Sequence, residues 1–170
     1  MAKDAREAAK CGLPNAPTTG EADSEKCPHC QAGPEYYRMI YNLYKFDVDL
    51  ARSLVADGRE SLEMDEEDVT HALEWAEIYP QHLDHVNLKY PGIVAHYWYP
   101  EDDGSLLQGQ VLIDGHHRAA KAQQLGIPYF IQLLTEEESR QVTLRSPTLE
   151  TILDLRKRKQ SERRQQVAPV

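Results

Sequence analysis

The run Asp114-Gly115-His116-His117-Arg118 gathers more reactive side chains than any other stretch of the chain. It follows the apolar stretch Gln110 to Ile113 and precedes Ala119 to Leu125, so it reads as a turn leading from a strand into a helix. The first N–H groups of a helix have no carbonyl partner and stand at the positive end of its dipole. A glycine there lets the backbone come close to a ligand. Arg118 adds a forked donor that matches phosphate, and His116 and His117 add ring nitrogens. Together these features describe an anion site, and a bound anion would favour protonation of a neighbouring imidazole. Asp114 has the wrong sign for such a site. It could cap the helix, hold a metal ion through water or act as a base, and the sequence leaves all three open.

Other residues invite chemistry less strongly. Cys27-Pro-His-Cys30 has the spacing at which two thiolates share a zinc ion, with Cys11 or His29 as a further ligand. No second pair completes the four ligands, so free thiols in an arm are preferred and structural zinc is the alternative. His82 and His85, three apart after Pro80, could flank the same cleft as the turn. Tyr97, Trp98 and Tyr99 could stack a base, although an aromatic strand normally feeds the core.

The turn needs a scaffold, and the surrounding pattern supplies one. Gly92 to Tyr99 and Gln110 to Ile113 read as neighbouring strands, with the turn signal PEDDG after the first. Ala119, Ala120 and Ala122 let the following helix lie close to a sheet. Gly126 is placed to end that helix, and Pro128 to Leu134 forms a third strand. Thr135 and Glu138 form a capping box for the next helix, and Ser146-Pro147 opens a last one that includes Leu149, Ile152 and Leu153. Earlier, Tyr37, Ile40, Tyr41 and Tyr44 recur at helical spacing behind Pro34, and Asp47 caps a second helix closed by Gly58. Glu60 to Met64 reads as a short strand, followed by a helix from Asp65 that Pro80 ends. Residues 1–34 read as a flexible arm containing the cysteines, 35–57 as N-terminal helices, 58–146 as the main domain, and 147–170 as a C-terminal helix with a basic tail.

The 170 residues suffice for one domain with a core that needs no disulfides. A formal net charge of -9 argues against general nucleic-acid or anionic-membrane binding. The exception is the tail, where Arg156, Lys157, Arg158, Lys159, Arg163 and Arg164 could meet DNA or simply form a solvated helix end. No apolar run reaches the roughly 18 residues of a spanning helix, and no signal-peptide core is present, which suggests a cytoplasmic protein.

The segment IDGHHRAAKAQQLGIPYFIQLL resembles the characteristic motif of the ParB/sulfiredoxin superfamily, and the likeness extends loosely from Gly58 to Glu138. The resemblance implies an α+β fold, a small mixed sheet with packed helices, and a nucleotide such as ATP, ADP or CTP held by its phosphates with magnesium as the accompanying cation. It assigns phosphate binding to Gly115, His117 and Arg118. His116 stands where sulfiredoxins carry a nucleophilic cysteine, which removes sulfinic-acid reduction from consideration. The Asp-Gly-His-x-Arg form is closer to the free-serine kinases, which implies roles for Asp114 and His116 beside the transferred phosphoryl group. The alternative is a nucleotide-gated interaction module or a DNA-associated ParB-like adaptor. Phosphoryl transfer also needs a carboxylate near the acceptor, and Glu60, Glu63 or Asp65 would supply it if the early strand lay beside Asp114.

Overall fold

The computed structural model describes residues 34–166, with side chains described as far as residue 162. The cysteine arm, and with it Cys11, Cys27, His29 and Cys30, lies outside the described residues. Among the described residues, seven strands and six α-helices build an α+β fold with two small sheets. The strands are β1 (Tyr36–Met39), β2 (Tyr44–Asp47), β3 (Leu62–Met64), β4 (Gly92–Pro100), β5 (Leu106–Asp114), β6 (Tyr129–Leu133) and β7 (Thr143–Arg145). The helices are α1 (Val48–Leu54), α2 (Glu66–Leu73), α3 (Pro80–Leu83), α4 (His116–Leu125), α5 (Glu136–Val142) and α6 (Leu149–Gln166). Among the described residues, no helix is long and apolar enough to cross a membrane.

The larger sheet has the order β3-β6-β4-β5 and is mixed: β4 pairs antiparallel with β5 and parallel with β6. Successive side chains on β4 point to opposite faces, and two cores result. Ile93 and Ala95 join Tyr44, Phe46, Ala51, Leu134 and Val142 on one face. Val94 joins Leu112, Ala119, Ala122, Tyr129 and Ile131 on the other. The alanines of α4 are buried against this second face, as their small size predicts. Gly126 ends α4 in the left-handed conformation, and the Thr135–Glu138 capping box opens α5.

Three sequence expectations need correction. The stripe Tyr37, Ile40, Tyr41 and Tyr44 does not form a helix, and only the second of the two expected N-terminal helices exists, as α1. The stripe spans the hairpin β1–β2, turned by Ile40, Tyr41 and Asn42, all at positive φ. Tyr44 and Phe46 alternate into the core instead, where burying a large apolar side chain is worth about 1.5–3 kcal/mol. β2 then pairs with β7 to complete the smaller sheet, order β1-β2-β7. The acidic helix α2 stops at Leu73, well before Pro80, which opens α3 at its first turn. Finally, β3 and β5 lie at opposite edges of the sheet, which separates Glu60, Glu63 and Asp65 from the Asp114 turn.

Candidate anion-binding site

The turn forms as its residue types require. A bulge in the β4–β5 ladder leaves Ile113 as the extra residue before Asp114, which re-aims the end of β5. Gly115 follows with φ 102° and serves as the N-terminal cap of α4 without any side-chain bond, so the helix end is open. Glycine is demanded twice over here. A Cβ would strike the Tyr129 hydroxyl and come within 3.0 Å of Gly92 Cα, and the left-handed φ strains any other residue. The Tyr129 hydroxyl donates to the Gly115 carbonyl at 2.9 Å, and burial raises its pKa, which keeps it a neutral donor.

Asp114 does not cap α4. Its two carboxylate oxygens accept from Arg52 Nε and Nη2, both at 2.8 Å, and Oδ2 also lies 3.2 Å from Arg118 Nη2. Burial opposes its charge, but the fields and hydrogen bonds of Arg118 and Arg52 win and hold the carboxyl well below the usual range. A carboxylate so firmly ionised is a poor proton acceptor. Its part is to anchor two guanidinium groups that burial alone would destabilise. Arg52 Nη1 goes on to Glu35 at 2.8 Å, which ties the start of β1 to the turn. Sequence reasoning missed Arg52 and Glu35 because neither shares a motif with residue 114. The one available signal was that an ionised Asp114 in an anion site demands a cation.

Arg118 is 5% exposed. Its Nη2 donates to the Pro91 carbonyl at 3.2 Å as well as meeting Asp114, while its buried Nε has no hydrogen-bond partner among the described residues. Buried donors are nearly always paired, so this one marks a place for an acceptor. His116 stacks on Tyr37 with ring centroids 5.1 Å apart. Its imidazole is pushed down to about 4, chiefly by burial and further by Arg118, against the opposing pull of Asp114 and Glu35, so it is neutral near pH 7. His117 serves here as an acceptor: its Nε2 accepts from the Tyr79 N–H at 3.0 Å, and the two rings stack. His82 is buried edge-on to His117 and hydrogen-bonded to His85, as neighbours of the same cleft.

A cavity of about 400 Å³ opens on this arrangement. It is lined by Gly115, His116, His117 and Arg118 from the turn, by Glu35 to Arg38 from the start of the described chain, and by Trp75, Glu77 and Tyr79 from the loop after α2. The carboxylates it receives from outside the turn are therefore Glu35 and Glu77, in place of Glu60, Glu63 or Asp65. Tyr97, Trp98 and Tyr99 do not line it: Tyr97 packs on Tyr44, Trp98 lies under Arg140, and Tyr99 lies by Arg156. In the tail, Arg156 donates to Asp102 and Tyr99 and Lys159 contacts Tyr41, so part of its basic charge fastens α6 to the body. The side chains of Arg163 and Arg164 lie outside the described residues. Comparison with family models, curated proteins and solved structures returned no match for this chain.

Proposed function

We propose that the cavity binds a nucleotide or a phosphorylated small molecule, with a phosphate seated at the open N-terminus of α4. The observation that carries this reading is the unpaired, buried Nε of Arg118 beside an uncapped helix start. Gly115, His116, His117 and Arg118 surround the phosphate. His116, neutral in the free protein, gains a proton more readily when the phosphate arrives, because opposite charge favours the imidazolium. Glu35 and Glu77 add negative charge to the cavity, so a nucleoside polyphosphate such as ATP, ADP or CTP balances it best with magnesium on its phosphates. The volume is in the range of small-ligand sites, which begins at about 300 Å³. This reading agrees with the likeness of the turn to the ParB/sulfiredoxin superfamily, and we propose a cytoplasmic location, as the sequence pattern suggests.

The enzymatic version is phosphotransfer to a small hydroxylated acceptor, serine included, with His116 taking the proton and Asp114 holding Arg118 in place. The firm pairing of Asp114 favours a second version, a non-catalytic nucleotide-gated interaction module or DNA-associated adaptor. Calorimetry with ATP, ADP and CTP on the wild type and on Arg118→Ala and Arg118→Lys tests the binding. At least one nucleotide binds the wild type, and loss of the guanidinium fork weakens it by about 1.5–3 kcal/mol. If none binds the wild type, the nucleotide reading fails. Labelled product from ATP or ADP with hydroxylated acceptors selects the kinase; binding without turnover selects the module.

A further inference from the structure

The loop after α2 holds a large apolar side chain out in solvent. Trp75 is 87% exposed, although a tryptophan ordinarily buries much of its ring. The loop backbone is bonded on both sides of it: the Glu74 N–H donates to His71 O at 3.3 Å and the Ala76 N–H to Leu73 O at 3.2 Å. Further on, the Tyr79 N–H bond to His117 Nε2 ties the loop to the first turn of α4. Trp75 is thus presented by ordered backbone in fixed relation to the phosphate turn. The two line one cavity, to which Arg118 and His117 contribute as buried residues and Trp75 as an exposed one. Glu77, between Trp75 and Tyr79, also lines it.

We propose that residues 75–79 form a nucleoside subsite, with the base stacked on the Trp75 indole, a ribose hydroxyl donating to Glu77, and the phosphates running inward to Gly115 and Arg118. The proposal rests on the phosphate reading above and narrows it to ribonucleotides. It also explains what an exposed indole does in the lining of a polar cavity. Every base has a π face, so a stacking platform adds affinity with little preference among bases; selectivity between ATP and CTP would have to come from elsewhere.

The test uses the full chain and two probes, Mg-ATP and Mg-tripolyphosphate, which share the phosphate chain and differ by the nucleoside. Trp75→Ala weakens ATP about 10-fold or more, the scale of one lost base stack, and leaves tripolyphosphate unchanged. Trp75→Phe keeps most of the ATP affinity. ATP quenches the indole fluorescence of the wild type, tripolyphosphate does not, and the quenching is absent in Trp75→Phe. Equal losses for both probes, or no loss for either, overturn the subsite while leaving the phosphate site standing. Failure of the wild type to bind either probe removes both together. Because the side chain is exposed, its replacement leaves the fold intact, which circular dichroism checks.

Discussion

Arg59 and Arg118 each sit in a network of carboxylates and carbonyls, and the two networks are built to different ends. Arg59 is fully engaged. Its Nε bonds Asp57, its Nη1 bonds Glu138 and the Leu133 carbonyl, and its Nη2 bonds Glu138, Asp57 and the Leu54 carbonyl. It joins the end of α1, the end of β6 and the start of α5, and has no donor nitrogen left over. Arg118 is more deeply buried yet incompletely paired, sharing Asp114 with Arg52 and keeping Nε without an acceptor among the described residues. The contrast separates a guanidinium that staples elements from one that keeps an unmet donor, the feature on which the proposed phosphate site rests. Burial and the presence of a carboxylate are common to both, so neither distinguishes them; the unmet donor does.

Asp114→Ala should break the contrast with the largest effect. It leaves Arg52 and Arg118 buried without their shared counter-charge, a loss of about 3–5 kcal/mol in urea unfolding. An unchanged unfolding midpoint would show that the two guanidiniums reach water. Arg59→Ala should cost less, about 1–3 kcal/mol, because its acidic partners are closer to solvent and can rehydrate. It should leave nucleotide affinity untouched, so a loss of ATP binding in this variant would erase the distinction between staple and site.

The smallest effect is the pH dependence, which sharpens the comparison. Hydrogen bonds from Arg59 first, and from the Thr135 N–H, lower Glu138 to about 2. A carboxylate lowered on folding stabilises the protein above its unfolded pKa. That contribution drains away as the pH falls from the ordinary Glu value towards about 2. Asp114 is held lower than the usual Asp range, so its network should outlast that of Arg59 as acid is added. His116 runs in the opposite sense of charge: lowered to about 4, it stays neutral above that value and takes its proton only as the pH falls through it. Imidazole NMR shifts read His116 directly, and added Mg-ATP should move its midpoint upward. A midpoint near the ordinary histidine value in the free protein would contradict the enclosed site.

The region from Gly92 to Val142 was legible because its signals are local: β-branched runs, Gly126 and Pro128 as punctuation, a capping box at Thr135. The strand-to-helix turn at residues 114–118 was legible for the same reason. The hairpin was not, because four aromatic and aliphatic residues at Tyr37, Ile40, Tyr41 and Tyr44 fit a helical period, and no glycine marks a turn made by three non-glycine residues at positive φ. Phe46, which completes the alternation from Tyr44, was the overlooked clue. Arg52, Glu35, Glu77 and Trp75 escaped notice because they reach the cavity through long-range packing. No short spacing in the sequence encodes the Arg52–Asp114 pair, whose partners are 62 residues apart.

The pairing of β2 with β7 has a kinetic consequence. It joins segments from near the two ends of the described chain, Lys45 with Arg145 and Phe46 with Thr143, whereas β4, β5, α4 and β6 follow one another directly. Loop-closure entropy opposes the distant pairing until the intervening chain has condensed. The wall of the cavity that carries Glu35 and Tyr37 therefore falls to the late stage of folding, after the turn it covers. Opening of that wall should need less free energy than global unfolding, so slow exchange at the β4 and β6 amides alongside faster exchange at β1 would be its signature.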